Sequence, residues 1–171
     1  MNLKDTIRVI EDFPVAGISF KDITTLLKDK DALKAAIDGM CALAPEKVDI
    51  VVGPEARGFI FGTAVAYQLG AGFVPVRKPG KLPAPVERFE YELEYGTDAL
   101  EIHQDAIQSG DKVLLVDDLL ATGGTLRSTA KLVEKLGGEV VGIITLIELT
   151  DCNGRANTKE YPTHSLIAYE H

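Results

Sequence analysis

The chain lacks an excess of positive charge: 18 Lys and Arg stand against 26 Asp and Glu, a formal net charge of -8. Binding a phosphate backbone needs clustered cations, so a general nucleic-acid partner is not expected. The same acidity disfavours an anionic membrane surface. Cysteine is scarce. Cys41 and Cys152 are far apart and show no pairing pattern, and the opening MNLKDTIRVIEDF has no signal-peptide apolar run; together these predict a reducing, cytoplasmic setting. The three histidines, His103, His164 and His171, have no metal-ligand spacing. There is no N-x-[ST] acceptor site, no internal repeat, no G-x-S-x-G elbow and no plausible Cys/His pair. The uncharged run at 58–76 is broken by Gly62, Gln68, Gly70, Gly72 and Pro75, so it reads as helix, turn and strand rather than a membrane span.

Two phosphate motifs are also incomplete. Gly53 and Gly58 have P-loop spacing, but Phe59 and Ile60 stand where Lys and Ser/Thr must reach terminal phosphates, which excludes an NTPase. Gly70 and Gly72 begin a dinucleotide fingerprint whose third glycine position holds Pro75.

What remains is an alternation of strands and helices. Apolar residues at helical spacing mark 31–44, ended by Pro45, and VDIVV at 48–52 reads as a strand buried on both faces. A helix over 59–69 and a short strand at 73–76 follow. Residues 77–96 show no sustained period and read as a long functional loop. VLLV at 113–116 is a strand, and Leu126, Ala130, Val133 and Leu136 mark a helix face. Strands at 140–149 and 165–169 complete the pattern. This is an α/β fold with a mainly parallel sheet. The first thirty residues fall outside the alternation and suggest a small cap.

Parallel sheets bind ligands beyond the carboxyl ends of their strands. There, Asp117 and Asp118 leave VLLV together, followed by Ala121, Thr122, Gly123, Gly124 and Thr125 running into a helix. Glycines that let backbone N–H groups converge, a helix N-terminus and two hydroxyls are the parts of a phosphate monoester site. An ionised carboxylate only accepts hydrogen bonds, which suits ribose hydroxyls. A solvated strand–helix turn would explain the glycines but not two adjacent acids.

The segment 113–125 resembles the 5-phosphoribosyl-1-pyrophosphate (PRPP) signature of the type I phosphoribosyltransferases. The flanking strings resemble the adenine phosphoribosyltransferase family within them: Phe13-Pro14, GISFKDIT at 17–24, EARGF at 55–59, RKPGKLP at 77–83, LEYG at 93–96, LEIH at 100–103 and LIEL at 146–149. The resemblance implies one domain over 1–171, a type I phosphoribosyltransferase fold, with a twisted sheet flanked by helices, a hood or flap at 1–30 over the base site and a flexible catalytic loop at 77–96. It implies transfer of the phosphoribosyl group of PRPP to adenine, giving AMP and pyrophosphate with Mg²⁺ held mainly by substrate oxygens and water, in a homodimer. By the same likeness Ala121 to Thr125 cradle the 5′-phosphate, and Asp117 and Asp118 hold the ribose. Glu55, Ala56 and Arg57 form a pyrophosphate loop around a non-proline cis peptide. Arg77, Lys78 and Lys81 face the leaving group, Glu94 handles the purine proton, and Tyr95 helps close the site. Phe20 stacks on adenine, with Ile18, Ser19 and Lys21 beside it. Two alternatives stand: a phosphoribosyltransferase for 6-oxopurines, which would share the PRPP half, and a non-catalytic PRPP-sensing regulator, which would need an added partner-binding segment.

Overall fold

Uninterrupted apolar strands need cover on both faces, and the fold supplies it. The computed structural model describes residues 1–93 and 96–170. Its centre is a five-stranded sheet of β3 (Ile50–Pro54), β4 (Gly72–Val76), β7 (Lys112–Leu120), β8 (Glu139–Leu149) and β9 (Thr163–Tyr169). Their order is β4-β3-β7-β8-β9, and every pairing is parallel.

Alternate residues of the central strands enter two separate cores. Val51, Leu114 and Val116 pack with Ala36, Ile37 and Met40 of α2 (Lys30–Ala42) and with Phe61 and Val65 of α3 (Arg57–Leu69). Val52, Val113 and Leu115 pack with Leu126, Ala130 and Val133 of α4 (Gly124–Lys135). That two-sided burial is why both strands read as continuous apolar runs. α2 is capped by Asp29, whose carboxylate accepts from the N–H groups of Asp31 and Ala32.

Before the sheet, β1 (Arg8–Glu11) and β2 (Ser19–Asp22) form an antiparallel hairpin, followed by the single turn α1 (Thr24–Leu27). These residues thus stand outside the five-stranded sheet, in a two-stranded sheet of their own.

The segment 77–96 departs from expectation. Part of it is strand: β5 (Val86–Leu93) pairs antiparallel with β6 (Gly96–His103). Phe89 and Tyr91 turn towards the α4 core while Arg88, Glu90 and Glu92 face solvent, a period-two alternation obscured by the upstream prolines. Lys135 of α4 fixes the hairpin, donating to the Arg88 carbonyl at 3.2 Å and pairing with Glu87 at 3.5 Å. Among the described residues no helix is long and apolar enough to cross a membrane.

Candidate active site

β7 runs further than its apolar core suggests. Asp117, Leu119 and Leu120 stay in register with Thr145, Ile147 and Glu148 of β8. The two acids therefore sit within the strand's last turns of ladder rather than in the loop beyond it. The neighbouring strand's hydrogen bonds, not β7's own hydrophobicity, set this length. Asp118 is buried, with its carboxylate 3.0 Å from Nε of Arg57. Asp117 accepts the Asp118 N–H at 2.8 Å through Oδ1. Burial raises the Asp117 carboxyl well above the ordinary 3.8, and the adjacent Asp118 charge raises it further. A group that resists ionisation in this way is stabilised in its charged form by a donor or cation brought to it.

The start of α3 approaches this strand end closely. A Cβ on Gly58 would lie 3.0 Å from Oδ1 of Asp117, so only glycine fits there without displacement. Glycine at 58 thus lets Arg57 reach Asp118 from the adjacent turn.

Beyond Leu120 the chain turns through Ala121, Thr122 and Gly123 into α4. Gly123 has φ +84°, a left-handed conformation that favours glycine, and α4 has no side-chain cap. Its first N–H groups are thus left for a ligand. Asp117, Asp118, Ala121, Thr122, Gly123, Gly124 and Thr125 line one cavity of about 200 Å³. The structure brings both acids and the whole five-residue loop together.

Asp118 and Leu119 also border a second cavity of about 130 Å³, walled further by Ile18, Ser19, Phe20 and Lys21 from the hairpin, by Ile147 and Leu149 from the sheet and by Arg57. Phe20 packs edge-on to Phe13 with ring centres 5.2 Å apart, and the Arg57 guanidinium sits 5.6 Å from its ring centre. Buried Lys21 donates to Ser19 Oγ at 2.8 Å and its ammonium lies 4.9 Å from the Tyr169 ring centre. The sheet-side walls Leu119, Ile147 and Leu149 escape sequence reasoning. Their signal is position: each falls at the carboxyl end of a parallel strand.

The expected pyrophosphate loop carries a cis peptide between Glu55 and Ala56. Glu55 accepts the Lys78 N–H at 2.8 Å and Arg77 Nε at 3.2 Å. The Lys78 hydrogen bond chiefly holds its carboxyl below the usual range, with the Arg77 charge assisting. Lys78 is paired with Asp98, and Glu101 accepts the Gly80 N–H at 3.0 Å. Asp98 and Glu101 are further residues that sequence reasoning missed: two acids on β6 and Glu55 after β3 anchor the basic loop. Lys81 is exposed. Glu94 and Tyr95 lie outside the described residues. No group of three or more His, Cys, Asp or Glu that could hold a metal occurs among the described residues.

Comparison with known proteins agrees with this geometry. The family model described as a phosphoribosyl transferase domain matches residues 16–167. An adenine phosphoribosyltransferase of Clostridium perfringens is 61% identical over 171 residues, covering 99% of each chain. The crystal structure of the Thermoanaerobacter pseudethanolicus adenine phosphoribosyltransferase superposes with a TM-score of 0.94 at 57% identity, covering 98% of each chain. That of the Saccharomyces cerevisiae enzyme, complexed with adenine and D-2,5-dideoxy-2,5-imino-altritol 1,6-bisphosphate, gives a TM-score of 0.88 at 37% identity, covering 96% of each chain. The sheet order, the loop before α4 and these likenesses agree: this chain belongs to the adenine phosphoribosyltransferase family of type I phosphoribosyltransferases.

Proposed function

We propose that the protein transfers the 5-phosphoribosyl group of PRPP to adenine, forming AMP and releasing pyrophosphate. One observation carries the reading. A polar cavity fit for a sugar phosphate and an aromatic-walled cavity fit for a flat base share the wall formed by Asp118, whose carboxylate pairs with Arg57, and Leu119. The yeast relative's complex with adenine and a bisphosphorylated imino sugar supports the same pairing of ligands.

In this reading the N–H groups and hydroxyls of residues 121–125 bind the 5′-phosphate, with the positive end of α4 behind them. Asp117 and Asp118 accept the ribose hydroxyls. Phe20 and Leu119 hold adenine between them, while backbone groups of Ile18, Ser19 and Lys21 read its edge. The purine nitrogen bonds to the ribose C1, the bond from C1 to pyrophosphate breaks, and the leaving oxygen keeps its electron pair. The two carboxylates place negative charge beside the cationic sugar that develops. Arg57, Arg77, Lys78 and Lys81 face the departing charge, with the Glu55–Ala56 turn beneath them. Glu94 takes the purine proton and Tyr95 closes over the site; both roles rest on the family resemblance, as does treating 1–30 as a hood and 77–96 as a moving loop of a single domain.

Mg²⁺ fits a site of two adjacent carboxylates and few other protein ligands, because it keeps most of its waters and binds through one or two carboxylates plus substrate phosphates. Asp117, disfavoured as a bare anion, and Asp118 would hold its shell. When bound, the ion supplies charge neutralisation at the pyrophosphate oxygens. A homodimer and a cytoplasmic setting belong to the same reading.

AMP formation from PRPP with Mg²⁺ and each of adenine, hypoxanthine and guanine tests the proposal. Adenine is expected to exceed both 6-oxopurines by about 100-fold or more in kcat/KM, the range in which a wrongly placed donor leaves buried polar groups unpaired. Comparable rates with hypoxanthine would favour the 6-oxopurine alternative. No product with any base would favour a sensor.

A further inference from the structure

The segment after β8 touches the phosphate loop at three points. The Gly154 backbone lies under Gly123: a Cβ on Gly123 would come within 2.6 Å of the Gly154 carbonyl oxygen, and one on Gly154 would collide with the Ala121 carbonyl oxygen. The two segments meet through paired glycines with no room for a side chain between them. Asn157 donates from Nδ2 to the Thr122 carbonyl at 2.7 Å. Arg155 ties the segment down. Its Nε and Nη2 donate to both oxygens of buried Glu148, at 2.9 to 3.1 Å, and its Nη1 donates to the Thr163 carbonyl at 2.7 Å. Glu148 in turn pairs in register with Leu120, the last residue of β7 before the loop.

This closes a circuit. β7 leads into the phosphate loop, the loop rests on residues 154–157, and Arg155 returns them to β8, the neighbour of β7, and to β9 beyond it. Asn157 and Arg155 are exposed residues, so their contacts add little to the hydrophobic core. Their geometry instead fixes one peptide, the Thr122–Gly123 link. In a trans peptide the N–H points opposite to the carbonyl, so holding the Thr122 carbonyl on Asn157 also fixes the direction of the Gly123 N–H, in a loop that lines the cavity.

We infer that Asn157 and Arg155 are positioning residues for phosphate binding: they hold the 122–123 peptide with its N–H aimed into the cavity without touching the substrate themselves. The inference rests on residues 121–125 being the phosphate site, as proposed above.

Asn157→Ala removes the donor to Thr122, and Asn157→Asp sets a carboxylate against that carbonyl. Ribose 5-phosphate and AMP binding to the wild-type protein, by calorimetric titration, first tests the site itself. Steady-state constants for PRPP and adenine, with melting temperatures, then test the brace. The expected result for Asn157→Ala is a rise of about three- to tenfold in KM for PRPP and in Kd for ribose 5-phosphate, the net worth of one hydrogen bond. The Asp variant should lose more. KM for adenine should stay within about twofold and melting should shift by less than about 2 °C, as for a surface change. Arg155→Lys, which keeps the charge but loses the two-pronged geometry, should shift PRPP the same way and less than Arg155→Ala. Normal wild-type binding with unchanged PRPP constants in both Asn157 variants would overturn the brace and leave the site standing, as would equal changes in both KM values. Failure of the wild type to bind either phosphate would overturn both.

Discussion

Asp117→Asn is expected to make the protein more stable at neutral pH and to lower kcat/KM for PRPP by about 100-fold, the loss of a charged acceptor facing two-donor chemistry. Both effects have one cause. Burial and the Asp118 charge make the ionised Asp117 costly in the free protein, and the substrate's hydroxyls relieve that cost. The native carboxyl keeps its proton to higher pH than an unfolded one. Its contribution to stability is therefore full below the ordinary value of 3.8 and is lost as pH rises through the raised native value. Asparagine stays neutral throughout and still offers Oδ1 to the Asp118 N–H. Thermal melts from pH 3.5 to 8 should show the variant gaining on wild type as pH rises, by about 2–4 °C at pH 7, and the difference vanishing below about pH 4. A variant less stable than wild type at pH 7, or one with full activity, contradicts the assignment. PRPP binding should also release a proton at pH values between the ordinary carboxyl value and the raised native one, measurable by titration in buffers of different ionisation enthalpy.

Gly123→Ala is expected to cost about 100-fold or more in kcat/KM for PRPP. An alanine at φ +84° costs about 1–2 kcal/mol in backbone strain, and its Cβ meets the Gly154 carbonyl at 2.6 Å. The backbone must shift, and the N–H groups around the cavity shift with it. Gly110→Ala provides the comparison. Gly110 has φ +87°, but a Cβ there meets nothing within 4 Å, and it lies in the turn before β7. It should lower the melting temperature by a few degrees and leave kcat/KM within about twofold. Equal kinetic losses in both variants would mean that general destabilisation, not loop geometry, governs activity.

The parts of the fold visible in the sequence are those with local causes. VLLV followed by two acids and a small-residue turn already marks a strand, a ligand and a helix start, because each needs only its own residues. The reach of β7 to Leu120 is not visible, since β8 sets it by hydrogen bonding. Nor is the β5–β6 hairpin, whose alternation of Phe89 and Tyr91 with charged neighbours follows four turn-forming residues that suggest a loop. The basic cluster at 77–81 reads locally as a solvated charge run. Its partners, Glu55, Asp98 and Glu101, lie about twenty residues away in either direction and meet it only through tertiary structure. Arg57 has the opposite history. A lone arginine after a strand is usually a surface residue, yet here it pairs with Asp118, the acid that borders both cavities, beside Gly58, where α3 begins against Asp117. Asn157 and Arg155 have no local pattern at all, and only the meeting of Gly123 with Gly154 exposes their position.

A crystal structure of the protein grown with AMP tests the account most directly. The phosphate should accept hydrogen bonds from the backbone N–H groups of residues 122–125, the ribose hydroxyls should lie against Asp117 and Asp118, and the base should sit between Phe20 and Leu119. AMP found instead in the larger cavity behind Phe20, bounded by Arg8, Phe13 and Ile23, or with its phosphate away from Gly123, would contradict it.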